Sequence, residues 1–284
     1  MKNVFGIGKD IFNDESSIFE YDGGCFVIKT VDEETTELLD SVCDEFENHK
    51  KQASLPLWLN IIKFVATIGA LLIGGSILKA DVTLAEAYSN APYFFFICGA
   101  LAVIAIVLWT VERVKYKKIV TSEKFKSNCE VAECAITRAR NHLGVPENAL
   151  SVDVFAFVYK DKKGTQVSAM PYTFFPCEMM AYCDSDNFYL ADVKSVLSFP
   201  RSNILGIEQI KKKATLGNWN KSDAPRSKKY KQYKMVVDNM SLIHIKSYYS
   251  MKLRQNGEDY EILFPAYDVE SIAQMLELRL FKNT

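Results

Sequence analysis

Apolar and polar positions along this chain follow three rhythms in succession. From about Glu33 to Gln52, Leu39, Val42, Phe46 and His49 recur on one helical stripe, and acidic residues cover the other faces. Between Leu57 and Val111 the alternation disappears and two long apolar runs follow one another, broken by a short polar stretch. From Glu112 to Leu143 a helical period returns: Phe125, Cys129, Ala132, Ile136, Ala139 and Leu143 step alternately by four and three, the spacing of a coiled-coil seam. Gly144 and Pro146 mark its stop.

The apolar runs predict a transmembrane hairpin. Tyr93 to Val111 carries no charge, and its length suits the ~20 residues that a helix needs to cross a bilayer. Leu57 to Leu78 carries one charge, Lys63. That lysine reads either as a snorkelling anchor or as a charge in a transport path. Trp58, Tyr93 and Trp109 stand near the run ends, as interfacial aromatics do. Ala66, Ala70 and Gly74 form a small-residue stripe suited to close helix contact, with Gly99 and Ala102 of the second run or with another copy of the chain.

Beyond Ser151 the period shortens to that of strands. Val152–Tyr159, Glu178–Cys183, Phe188–Asp192, Val196–Phe199, Ile204–Ile210, Tyr233–Val237, Leu242–Tyr248, Met251–Arg254 and Tyr260–Phe264 are separated by turn residues. Asn256-Gly257 is the strongest hairpin signal among them. Asp268 is the expected cap of a closing helix with the stripe Val269, Ile272, Leu276 and Leu280. Near the N-terminus, residues 1–15 look loosely structured, and Ile18–Tyr21 and Cys25–Ile28 flank a Gly turn, so a hairpin is expected to join a sheet or to pack on the C-terminal domain. The fold class is thus an α+β membrane protein. Residues 1–52 form an acidic N-terminal segment, 53–111 the hairpin, 112–144 a juxtamembrane helix and 145–284 a β-barrel or sandwich capped by a helix.

Charge changes the picture in two ways. Lys50 and Lys51 precede the first run, and Arg113, Lys115, Lys117 and Lys118 follow the second. The connecting loop has only Lys79 against Asp81 and Glu86, so both termini are expected in the cytoplasm of a multi-pass cell-membrane protein. The opening fifty residues are acidic, so the first apolar run is expected to direct insertion. The overall net charge of −1 conceals a strong asymmetry. Residues 1–48 hold thirteen acids against three lysines, and residues 201–234 hold ten bases against two acids. The acidic and basic helices flanking the apolar runs are expected to pair antiparallel as a stalk.

A resemblance enters at Asn187–Asp192, Ser195–Pro200 and Ile204–Ile207, which look like the strand pair and following strand of bacterial pleckstrin-homology-like domains. Leu143–Pro146 and Trp219–Lys221 extend it to uncharacterised bacterial two-span membrane proteins with a cytosolic domain of that kind. The likeness covers roughly residues 143–280 and implies a β-barrel closed by a helix. It implies no chemistry, because that fold serves lipid binders, peptide binders and structural modules alike.

Catalytic patterns are not evident. His49, His142 and His244 lie in different elements, Cys129 and Cys134 lack a second ligand pair, and no phosphate loop or nucleophile elbow occurs. The chain is expected to be no enzyme, to need no cofactor or metal and to bind no nucleic acid. Its seven cysteines are expected to stay reduced. The candidate binding patch is basic with interleaved aromatics: Lys211, Lys212, Lys213, Trp219, Lys221, Arg226, Lys228, Lys229 and Lys231. An acidic protein segment (the chain's own residues 10–47 among the candidates), an anionic lipid, or water alone would satisfy it. A straight helix from Glu112 to Leu143 would be about 48 Å long and would place the patch out of reach of the bilayer. Attraction to lipid decays over about 8 Å, which favours a protein partner. The expected function is a membrane-anchored adaptor or sensor. A lipid-binding regulator is the alternative, and an oligomeric channel or transporter component the third.

Overall fold

A computed structural model of the protein describes residues 2–7, 24–79, 83–162, 165–168, 173–216, 233, 235–237 and 243–281. It is an α+β chain with two long apolar helices and a large, mainly antiparallel sheet. It divides into two compact units, residues 33–137 and residues 1–32 with 138–284.

The helical unit opens with α1 (Glu33–Ala53), which has Glu33 and Glu34 in its first turn and Lys50 and Lys51 in its last. That distribution complements the helix dipole at both ends. The two long apolar helices are α2 (Leu57–Lys79) and α4 (Pro92–Val120). Between them lies α3 (Leu84–Asn90), which the sequence pattern did not predict. Thr83 starts it: its hydroxyl accepts from the Glu86 N–H while the Glu86 carboxylate accepts from the Thr83 N–H, a complete capping box.

α2 and α4 approach closely through small residues. Ala66 and Ala105 are buried, and a Cβ on Gly69 would come within 2.9 Å of Leu101 Cδ1. Cys98 Sγ lies 3.5 Å from the Ala70 carbonyl. The small-residue face of α2 therefore meets α4 of the same chain, as the stripe suggested. On the α4 side the contacts fall to Cys98, Leu101 and Ala105, whereas Gly99 faces open space.

The long helix expected after the second apolar run is interrupted. α4 ends at Val120, and α5 (Glu123–Leu143) begins after two intervening residues. Adjacent hydroxyls explain the break. Thr121 Oγ1 donates to the Lys117 carbonyl at 2.8 Å, and Ser122 Oγ donates to the Ile119 carbonyl at 2.6 Å. Ser122 Oγ also accepts from the Phe125 N–H at 3.2 Å, capping the next helix.

The sheet unit is built on the strands β1 (Lys2–Asn3), β2 (Gly6–Ile7), β3 (Val27–Thr30), β4 (Leu150–Lys162), β5 (Thr165–Ser168), β6 (Thr173–Cys183), β7 (Asn187–Ala191) and β8 (Ser195–Pro200). It continues through β9 (Ile204–Ile210), β10 (Ala214–Leu216), β11 (Val236–Val237), β12 (Ile243–Ile245), β13 (Tyr248–Gln255), β14 (Glu258–Phe264) and β15 (Leu280–Phe281). A meander β4–β6–β7–β8 is followed by a second, β9–β13–β14, and β14 returns to pair with β4.

Residues 2–7, expected to be loosely structured, contribute two short strands, and residues 27–30 a third. β1 runs parallel to β14, β2 parallel to β4, and β3 antiparallel to β8. The predicted N-terminal hairpin lies partly outside the described residues. The β13–β14 turn places Asn256 at φ 51° and Gly257 at φ 80°, the paired left-handed geometry of a tight hairpin.

Alternate residues of β4, β13 and β14 feed two cores. Val152, Val154, Met251, Ile262 and Phe264 face the larger one. Phe155, Tyr248 and Leu263 point the other way, and Phe174, Ala214, Leu216, Ile243 and Ile245 cover them. Full burial of each Phe, Leu or Ile contributes about 1.5–3 kcal/mol. The larger core is capped by α6 (Val269–Met275), whose Val269, Ile272 and Ala273 are buried.

Two details of α6 depart from the sequence pattern. Asp268 stands at the N-cap, as expected, but its side chain makes no capping bond; its Oδ2 accepts from the Asp153 N–H at 2.8 Å and so ties the helix to β4. The helix also ends before Leu280, because Glu277 takes φ 57° and turns the chain into β15, which runs parallel to β9.

Candidate functional site

Within the helical unit, side chains near the C-terminal end of α1 meet the start of α5. Phe46 of α1 meets Phe125 of α5 edge to face at 5.6 Å, and His49 meets the same ring at 5.5 Å. Lys124 bridges to Glu45 at 3.1 Å. Lys124 and, further down, Asn128 hold the Glu45 carboxyl below its ordinary range. Asn128 thus directs its NH2 group toward acceptors, and it also lies 2.9 Å from His49 Nε2. An amide NH2 only donates, so Nε2 accepts and the ring proton sits on Nδ1. That Nδ1 is buried and has no partner among the described residues.

Beside His49 a cavity of about 830 Å3 opens between α1, α4 and the start of α5. Its walls are mainly apolar, from Phe46, Trp109, Tyr116, Ile119, Val120 and Phe125. Lys50, Glu112 and Arg113 supply the charge. The volume falls within the ~300–1,000 Å3 of ordinary small-molecule sites. The cavity straddles the point where the uncharged run of α4 ends and its charged turns begin.

Glu112 also explains Lys63. The lysine is 3% exposed and bonds Glu112 Oε2 at 2.5 Å. Its ammonium lies 4.3 Å from the centre of the Trp109 ring and 5.1 Å from that of Phe64. Trp109 Nε1 donates to Thr67 Oγ1 at 3.2 Å, which fixes the indole. The sequence readings of Lys63, a snorkelling anchor or a charge in a transport path, did not include this ion pair between two helices. The charge has its partner 49 positions away, a proximity that no local spacing reveals.

The sequence-predicted patch is placed only in part. Lys211, Lys212 and Lys213 are exposed in the link between β9 and β10. Trp219, Lys221, Arg226, Lys228, Lys229 and Lys231 lie outside the described residues, as do residues 10–23 of the acidic stretch proposed to meet them; the rest of that stretch falls mainly in β3 and α1. The strands that bracket this segment, β10 and β11, both join β12. Sequence reasoning missed the cavity. It did assign His49, Phe46 and Phe125 to the buried seams that form it, and Trp109 to a run end.

Turn carboxylates account for two other acids. Asp184 Oδ1 accepts from the N–H groups of Asp186 and Asn187, and Oδ2 accepts from the Tyr189 hydroxyl at 2.7 Å. Asp192 Oδ1 accepts from the N–H groups of Lys194 and Ser195 at 2.6 Å. Both serve local structure. Among the described residues no group of three or more His, Cys, Asp or Glu side chains is placed to hold a metal. Comparison with protein-family models, with curated proteins and with solved structures finds no match for this chain.

Proposed function

We propose that this chain is a membrane-anchored, non-enzymatic adaptor or sensor, with α2 and α4 crossing the bilayer and both termini in the cytoplasm. The observation that carries the reading is the outer surface of the helix pair. Leu57, Leu71, Phe96 and Ile106 are 78%, 70%, 68% and 64% exposed, and similar residues surround them. In the apolar stretches of α2 and α4 only 11% and 6% of residues are buried. A core helix of a water-soluble domain buries such residues against protein, so an apolar surface of this extent calls for lipid as its solvent.

The sheet unit is read as a pleckstrin-homology-like domain. Its four-strand and three-strand meanders, the return of β14 to β4 and the single capping helix support that assignment. The domain presents the basic segment between β10 and β11 to a protein partner. A lipid-responsive regulator remains the second reading, favoured by the break at Thr121–Ser122. There α4 ends and α5 begins anew, so the stalk is not one continuous helix.

Alkaline carbonate treatment of cell membranes tests the anchor: the chain is expected to stay with the lipid. In a cysteine-free background, Thr36→Cys should react with an impermeant thiol reagent only after permeabilisation. Extraction by carbonate, or labelling in intact cells, refutes the reading. Affinity capture of the full chain, with and without residues 217–232, tests the adaptor role. It requires a partner lost on deletion.

A further inference from the structure

We propose that the cavity between α1 and α4 binds one anionic phospholipid, with its phosphate at Lys50, Arg113 and His49 and its acyl portion against the aromatic wall. This deepens the proposed function and rests on membrane insertion of α2 and α4.

Three independent features point to that ligand. The first is uncommitted charge: Lys50 and Arg113 line the cavity and form no ion pair among the described residues. Neighbouring charges are already engaged, Lys51 with Glu47, Lys124 with Glu45 and Glu112 with Lys63. The second is the buried His49 Nδ1, a donor with no acceptor, and His49 is only 5% exposed. A buried unpaired donor is costly, and an anionic oxygen relieves that cost. The third is polarity along the cavity. Trp109 and Thr110 belong to the apolar end of α4, and Arg113 and Tyr116 to its charged continuation.

A water-soluble anion would satisfy the bases and leave the aromatic wall bare. An uncharged lipid would fill the wall and leave the bases and the His49 N–H unmet. An anionic phospholipid meets both, and basic pockets beside membrane helices on the cytoplasmic side suit such headgroups. The site is distinct from the basic segment between β10 and β11.

The test uses the full chain with Trp58→Phe and Trp219→Phe, so that Trp109 is the sole tryptophan and is excited selectively over tyrosine. In nanodiscs of phosphatidylcholine, brominated phosphatidylglycerol is titrated against brominated phosphatidylcholine of the same chains. Two bases at a headgroup give roughly a thirtyfold preference. Half-quenching is therefore expected at a far lower mole fraction of the anionic lipid. Lys50→Glu with Arg113→Glu should abolish the preference, and Lys50→Gln with Arg113→Gln, the milder pair, should reduce it severalfold. Ala53→Phe, which fills the cavity wall, should weaken quenching by the anionic lipid without removing helix signal.

Equal quenching by both lipids overturns the proposal. So does a preference that survives loss of both bases, which would belong to the general cationic flank of Lys115, Lys117 and Lys118. Loss of the preference in millimolar inorganic phosphate would mark a phosphate site instead and also overturns it. Quenching by neither lipid means that α4 is not in the bilayer, and it refutes the anchor reading separately.

Discussion

Replacing Glu112 by Gln isolates the interaction that joins the two apolar helices on the side of the cavity. Lys63 is 3% exposed and Glu112 is 26% exposed, with 2.5 Å between the bonded atoms. The substitution leaves the ammonium buried against Trp109 with no anion. Removing one partner of a buried pair costs about 3–5 kcal/mol, and an unpaired base at a helix centre in lipid costs about 2.5–3.5 kcal/mol. Because water reaches part of this site, Glu112→Gln is expected to cost about 3 kcal/mol, at the low end. Lys63→Met leaves a carboxylate that water already touches, so about 1–2 kcal/mol is expected there. The double variant should cost less than the sum, with a coupling of about 2 kcal/mol. Titration with sodium dodecyl sulfate in mixed micelles, followed by the far-ultraviolet helix signal, measures all three. A coupling below about 0.5 kcal/mol would show that the two residues behave independently. A larger loss for Lys63→Met than for Glu112→Gln would show that burial of the cation is not the dominant cost.

Further outcomes concern the sheet unit. Ile272 is fully buried under the larger core, so Ile272→Ala should cost about 2–5 kcal/mol, seen as faster hydrogen exchange of β4, β13 and β14 amides in the full chain. Gly257 holds φ 80° in the β13–β14 turn, so Gly257→Ala should cost about 1–2 kcal/mol and expose the amides nearest that turn first. The Tyr189 hydroxyl, followed by the N–H groups of Asp186 and Asn187, holds the Asp184 carboxyl below its ordinary range. A depressed carboxyl adds stability above its unfolded value and loses it as pH falls through the folded one. Asp184→Asn should therefore make the acid limb of unfolding shallower below about pH 4, and an unchanged limb would contradict this.

Local regularities were legible from the chain alone. The apolar runs predicted α2 and much of α4 because length and lack of charge are additive along a helix. The seam of Phe125, Cys129, Ala132, Ile136, Ala139 and Leu143 predicted the buried face of α5 because side-chain direction repeats with backbone period. Asn256-Gly257 specified its turn because only a few residues tolerate positive φ. Long-range placement decided the rest. Residues 2–7 carry too short a pattern to read as strands, and they become strands only because β4 and β14 offer open edges. Asp268 looked like a cap, but the Asp153 N–H competes for its carboxylate across the fold. Thr121 and Ser122 were read as helix interior; their hydroxyls took neighbouring carbonyls and broke it. The cavity depends on Phe46, His49, Trp109 and Phe125 converging from three helices. Each residue advertised burial in its own element, but the empty volume between them and the unpaired His49 N–H arise only where those elements meet.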